Sequence, residues 1–256
     1  MDLRLPIAEG DNYKSPSQRA RVVTESWAAE NAFCVACPSE RLTRARTNTA
    51  VLDFTCPRCD APYQLKASTR PVAKKIMDAG YEAMMRAIRR DALPHFLVMR
   101  YETESVRDLL VIPRFVLSPS AIEKRPPLAP TARRAGWVGC NILVTLVPPE
   151  GRIVLVDSGL PVSPDAVREQ FKAVENLSTV ATSSRGWTLD VLTGLRSLGK
   201  GAFSLQEAYG LERELARLYP RNRNIRPKIR QQLQVLRDLG YLRFRAPGQY
   251  EFREFP

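Results

Sequence analysis

Between Ala50 and Thr69 the chain reads AVLDFTCPRCDAPYQLKAST, and three polar residues in it have the types and spacing to do chemistry. Asp53 lies just before a Cys56-Pro-Arg-Cys59 knuckle, and Gln64 and Lys66 lie just after it. The flanking runs VLDF and YQLK read as two strands folded into a hairpin at the knuckle. Strand side chains alternate, so Gln64 and Lys66 share one face and Asp53 on the partner strand converges with them. An acid, a carbonyl donor and a lysine grouped in this way can hold Mg²⁺ and attack a phosphodiester. The expectation is a nuclease site.

The knuckle is one half of a second pattern. Cys34-Val-Ala-Cys37 precedes it, with 18 residues between Cys37 and Cys56. Paired CxxC knuckles at that separation predict a tetrahedral zinc ion on Cys34, Cys37, Cys56 and Cys59. Four thiolates close the coordination shell, so the ion is expected to be structural. By clamping the hairpin tip it would fix the register that brings Asp53 to Gln64 and Lys66. Cys140 is left over and reads as a buried thiol.

Composition narrows the partners. The chain has 256 residues, with 39 Lys and Arg against 27 Asp and Glu, a net charge of +12. A basic excess of that size points to a polyanion, most often nucleic acid. No apolar run is long enough to cross a bilayer, and the N-terminus lacks the apolar centre of a signal peptide. A cytoplasmic protein is expected, where thiols stay reduced and five cysteines point to metal rather than disulfides. No obligate protein partner is evident, and a monomer is expected. The single histidine, His95, excludes nucleases that depend on several imidazoles. It sits at the start of an apolar strand and reads as structural.

The elements that must position these residues can be placed in outline. A first helix opens at Ser15, with Pro16 in the first turn and Gln18 completing a capping box. It buries Val22, Val23, Trp27 and Ala28, and Glu25 reads as an exposed acid. A second helix is predicted over Val72 to Arg90 from the spacing of Ile76, Tyr81, Met84, Met85 and Ile88. Strands follow at FLVMRY, LLVIP, ILVTL and IVLV, giving an α/β core with helices packed on a sheet. Between strands, the stretch from Arg125 to Asn141, RPPLAPTARRAGWVGCN, breaks regular structure. Arg133, Arg134 and Trp137 give it cations and a flat aromatic surface suited to nucleic acid, unless Trp137 simply plugs the core.

A new unit begins near Ser183. TLDVLTGLRSL, SLQEAYGLERELARLY and RPKIRQQLQVLRDL read as three helices, the second capped by Ser204 and Glu207. Two alternating runs around Ala-Pro-Gly-Gln then form a hairpin. Three helices and a terminal hairpin make a winged helix whose third helix enters the major groove. Lys228, Arg230, Gln231 and Gln234 are its candidate DNA contacts, since glutamine can pair with adenine and arginine with guanine or phosphate. The expected division is a nuclease domain with structural zinc over 1–182 and a winged-helix DNA-binding domain over 183–256.

YKSPSQRARVVTESW, the two CxxC pairs, D-x(10)-QLK, RPPLAPTARRAGWVGCN, SSRGWT and IRQQLQVLRD together resemble the DpnI family of methyl-directed restriction endonucleases. The resemblance runs from about Tyr13 to Tyr250. It implies a PD-(D/E)xK endonuclease domain joined to a winged helix, acting on double-stranded GATC that carries N6-methyladenine. It also implies Mg²⁺ as the working ion, held by Asp53, Gln64 and the Leu65 carbonyl, with Lys66 as the lysine and Trp137 as the aromatic that reads methyladenine. Gln64 stands where the family pattern has Glu. A glutamine carbonyl can ligate Mg²⁺ but brings no charge, so weaker metal affinity is expected. The alternative is a non-catalytic, zinc-containing winged-helix regulator that binds DNA without cutting it. An RNA-binding zinc protein is a more distant rival.

Overall fold

The computed structural model describes residues 1–46, 52–71 and 74–254. Helix α1 spans Pro16–Asn31. Ser15 caps it by backbone geometry, but its hydroxyl meets Ser17 Oγ at 2.9 Å and no side-chain cap bond forms, so the expected capping box is absent. Val23, Trp27 and Ala28 are buried as anticipated, whereas Val22 is only partly so.

The short strands β1 (Thr43–Arg44) and β2 (Phe54–Thr55) precede β3 (Pro62–Ser68). Of the predicted VLDF strand, Val51 lies outside the described residues and Asp53 sits in a bend just before β2. The hairpin itself forms, with Phe54 opposite Tyr63 and Thr55 opposite Pro62.

The helix expected from Val72 to Arg90 is corrected. Val72 and Ala73 lie outside the described residues, Lys75–Gly80 is a strand, β4, and only Tyr81–Arg89 is helical, as α2. Lys75, Ile76, Met77 and Asp78 alternate exposed and buried, which is strand periodicity. Ile76 and Met84 merely fall at helical spacing across the junction.

Strands β5 (His95–Glu102), β6 (Ser105–Ile112), β7 (Ile122–Pro127), β8 (Val138–Leu143), β9 (Ile153–Asp157) and β10 (Leu160–Pro161) follow. The predicted ILVTL strand is displaced: β8 starts at Val138, and Val144–Leu146 is a single 3₁₀ turn. The main sheet runs β1-β2-β3-β5-β6-β9-β10, with β3 and β5 parallel and every other pair antiparallel. Phe96 to Met99 are all buried, because this central strand is covered on both faces. A second sheet, β4-β8-β7, forms within the β3-to-β5 crossover and beyond it, and α2 packs on it. Helix α3 (Pro164–Glu175) packs on β9.

The C-terminal unit opens with α4, Thr182–Arg196, longer at its start than TLDVLTGLRSL. Strand β11 (Ala202–Ser204) leads to α5 (Leu205–Tyr209) and α6 (Glu212–Leu218), so the expected second helix is broken at Gly210 and Leu211. The Ser204–Glu207 capping box is present. Helix α7 (Ile225–Asp238) buries Ile229, Leu233 and Leu236, and β12 (Leu242–Ala246) and β13 (Gln249–Phe252) make the wing. The wing pairs with β11 as a three-stranded sheet. The fold is thus a mixed α/β body followed by a helix-turn-helix unit with a β wing.

Candidate active site and nucleic-acid interface

The hairpin brings the three chemical residues to one end of the main sheet. Asp53 donates its backbone N–H to the Tyr63 carbonyl at 3.0 Å, and its Oδ2 accepts from the Leu65 N–H at 2.9 Å. The carboxylate is therefore seated against β3 between the positions of Gln64 and Lys66. Burial pushes the Asp53 carboxyl above its usual range; the Leu65 N–H opposes this, Glu25 adds to it, and Lys66 opposes it. Arg21 also opposes it, and a cation bound directly to the carboxylate would offset the desolvation further.

Gln64 supplies a second indication. Its Oε1 is buried and has no hydrogen-bond partner among the described residues. An orphaned carbonyl oxygen in a folded interior is costly and calls for an occupant. Asp53, Gln64 Oε1 and a main-chain carbonyl such as that of Leu65 are hard oxygen donors of the kind Mg²⁺ takes, so the residues fit that ion. Lys66 Nζ is in ion-pair contact with Asp78 Oδ1, from β4. A cleft of about 650 Å³ opens between α1, β3 and β4 and is lined by Leu65 and Lys66, though not by Asp53, Gln64 or Asp78. Glu25, expected to be an exposed acid, lines this cleft and is ion-paired with Arg21 at 2.5 Å.

The four predicted cysteines converge. Their sulfurs lie within 4.8 Å of one another, with Cys34–Cys59 at 3.6 Å and Cys37–Cys56 at 3.5 Å. Sulfurs on a tetrahedral zinc at about 2.3 Å are separated by about 3.8 Å, so the cluster has the size to hold one structural zinc. Its surroundings were not legible in the sequence. Tyr63, buried on the β3 face opposite Gln64, brings its hydroxyl 3.2 Å from Cys34 Sγ and accepts from Val35 N–H at 3.1 Å. Arg168 of α3 donates to the Cys34, Cys37 and Ser39 carbonyls. The sulfur cluster and the proposed catalytic strand are thus one packed body.

Trp137 does not plug the core. It is half-buried, just ahead of β8, and lies over the paired glycines Gly80 and Gly139. A Cβ on Gly139 would come within 2.9 Å of the indole Cζ3, so the ring needs glycine there. The Arg134 guanidinium lies 4.5 Å from the ring centroid, a cation–π contact. Arg133 and Arg134 are both exposed. Cys140 is buried and its thiol donates to the Ala79 carbonyl at 3.3 Å.

On α7, Arg230, Gln231 and Gln234 are exposed and Lys228 is partly so, its Nζ 2.8 Å from Gln231 Oε1. Gln232 is buried and bonded to Thr188, which removes it from any base contact. The turn before α7 holds residues that the sequence did not single out. Arg221 and Arg223 flank a hollow of about 740 Å³ floored by Trp187 and Tyr219, whose rings stack at 3.7 Å. His95 is structural: buried in an aromatic cluster, held down to about 3 by burial and by Arg114, with Nδ1 accepting the Arg114 N–H. Among the described residues no helix is long and apolar enough to cross a membrane.

Two family models match the chain. The DpnI model, described as the Dam-replacing family, matches residues 1–180. The DpnI_C model, described as the Dam-replacing HTH domain, matches residues 183–252.

Proposed function

We infer the reaction from a plain premise: the chain belongs to the DpnI, Dam-replacing family and is a methyl-directed restriction endonuclease of that kind. The finer proposal is cleavage of double-stranded DNA at GATC carrying N6-methyladenine, by hydrolysis of a phosphodiester in a PD-(D/E)xK site. The observation that carries it is the pairing of a desolvated Asp53 with the orphaned Gln64 Oε1 beside Lys66. Asp53, Gln64 and the Leu65 carbonyl would hold Mg²⁺, which, when bound, supplies Lewis acidity toward the phosphate and its attacking water. Lys66 presents ammonium protons to the charge that develops on phosphate oxygen. The Leu65 N–H keeps one Asp53 oxygen in place and leaves the other for the ion.

Specificity is divided between two units, proposed to lie over 1–182 and 183–256. Burying one methyl contributes only about 0.8 kcal/mol, and a pocket discriminates a methylene by about 1–3 kcal/mol. One reader alone would leak, and two in series multiply. Trp137, with Arg133 and Arg134, is proposed to read methyladenine in the first unit. Lys228, Arg230, Gln231 and Gln234 are proposed to contact the duplex from α7.

The test is digestion of methylated DNA with Mg²⁺ or EDTA. Native protein is expected to cut with Mg²⁺ only, and Asp53→Ala to bind without cutting. Gln64→Glu restores a charged ligand and is expected to lower the Mg²⁺ requirement by about an order of magnitude. Native binding with no cutting under any metal would favour the non-catalytic regulator.

A further inference from the structure

Asp78 belongs to the strand that helical spacing conceals. Its side chain is fully buried, while that of Lys66 keeps 18% of its exposure. One carboxylate oxygen meets Lys66 Nζ, and the other, Oδ2, is buried with no hydrogen-bond partner among the described residues. A buried carboxylate is tolerated only with its counter-charge held close. The pairing therefore fixes an ammonium that otherwise swings on a flexible four-carbon stem. A lysine has three donors, so aiming one at Asp78 restricts where the other two point.

The same strand underlies the indole. Asp78 pairs with Cys140 across β4 and β8, and after a bulge at Ala79 the next pair is Gly80 with Gly139. The Cys140 thiol donates to the Ala79 carbonyl within that bulge. Trp137 rests on this glycine pair, its Nε1 3.5 Å from where a Gly80 Cβ would lie. Bulges beside active sites re-aim side chains, and this one stands between the indole and the carboxylate. Strand β4 thus carries Gly80 beneath Trp137 and, two residues earlier, Asp78 in contact with Lys66 of β3.

We propose that Asp78 is a positioning residue for Lys66 and that β4 makes methyl reading at Trp137 act on the cutting step, not on binding alone. This rests on the roles given above to Lys66 and Trp137. A methylated base packed on the indole holds Gly80 and the bulge, and with them the carboxylate that aims Lys66. An unmethylated base gives the indole less to pack on, and the lysine is aimed less often.

The test compares single-turnover cutting in Mg²⁺ with binding in Ca²⁺, on duplexes that differ only in N6-methylation. Asp78→Asn is expected to bind methylated duplex within about twofold of native while cutting it about 10–100-fold more slowly, the usual cost of losing an orienting partner. Its methylated-to-unmethylated rate ratio should shrink, and Asp78→Glu should recover part of both. Adding Trp137→Ala to Asp78→Asn should cost less than the product of the single effects. A native rate ratio in Asp78→Asn, or effects that multiply, overturns the proposal. If Asp78→Asn does not fold, Gly139→Ala takes its place: it displaces the indole, leaves Asp78 and Lys66 intact, and must shrink the same ratio. Lys66→Ala separates the two readings. Native cutting by that variant removes the site itself, whereas its loss beside an unaffected Asp78→Asn removes only the role of Asp78.

Discussion

Asp53 and Gln64 are both strained by what surrounds them, and in the same sense. Asp53 carries a carboxyl whose pKa burial raises, and Gln64 carries a buried oxygen that no group among the described residues answers. A carboxyl whose folded pKa lies above its unfolded value favours folding at acid pH, and that contribution is lost as pH rises through the folded value. At neutral pH its ionised form opposes folding. Asp53→Asn is therefore expected to raise the melting temperature of the metal-free protein. Mg²⁺ should stabilise the native chain by mass action and leave the variant nearly unchanged. Thermal melts with and without Mg²⁺ check this, and a lower melting temperature for metal-free Asp53→Asn at pH 7 contradicts it. The residue types and their spacing were readable in sequence because a hairpin fixes which side chains share a face. Asp78 was not, because its partner Lys66 lies on a different strand of a different sheet.

At the scale of elements, the sulfur cluster is what holds the β2–β3 hairpin against the segment that follows α1. Losing one thiolate opens the shell and leaves Tyr63 and Arg168 bonded to a loosened loop. Cys56→Ser is expected to lose zinc and to lower the melting temperature by about 10 °C or more. Elemental analysis and calorimetry check both, and a zinc-free native protein would contradict the reading. The CxxC pairs were legible because ligand spacing is a local property. The β4–α2 boundary was not, because the buried positions of a six-residue strand and of the helix after it can mimic one helical stripe. The same limit hid the break between α5 and α6, where a capping box marks the start of a helix but nothing as sharp marks its end.

For the whole molecule, the C-terminal unit is fastened to the α/β body through α4. Arg185, almost fully buried, pairs with Asp91 at 2.6 Å and also donates to the Ser178 and Val180 carbonyls. Arg196 is ion-paired with Glu150, and Asp190 accepts from Ser120 of the body and from Tyr219 of its own unit. Arg185→Met removes a donor to three acceptors and is expected to cost about 2–3 kcal/mol, lowering one shared unfolding transition. Two separate transitions in the native protein would instead mean that the units fold independently. Net charge of +12 adds a sequence-independent attraction to DNA that weakens steeply with salt, so methyl discrimination must be measured at fixed ionic strength. The most direct measurement is the cutting of one plasmid, prepared with and without N6-methyladenine at GATC, by native protein and by Lys66→Ala in Mg²⁺. Cutting of the methylated plasmid alone, by native protein alone, is the expected result. Equal cutting of both plasmids, or native-rate cutting by Lys66→Ala, would contradict a methyl-directed nuclease built on this site.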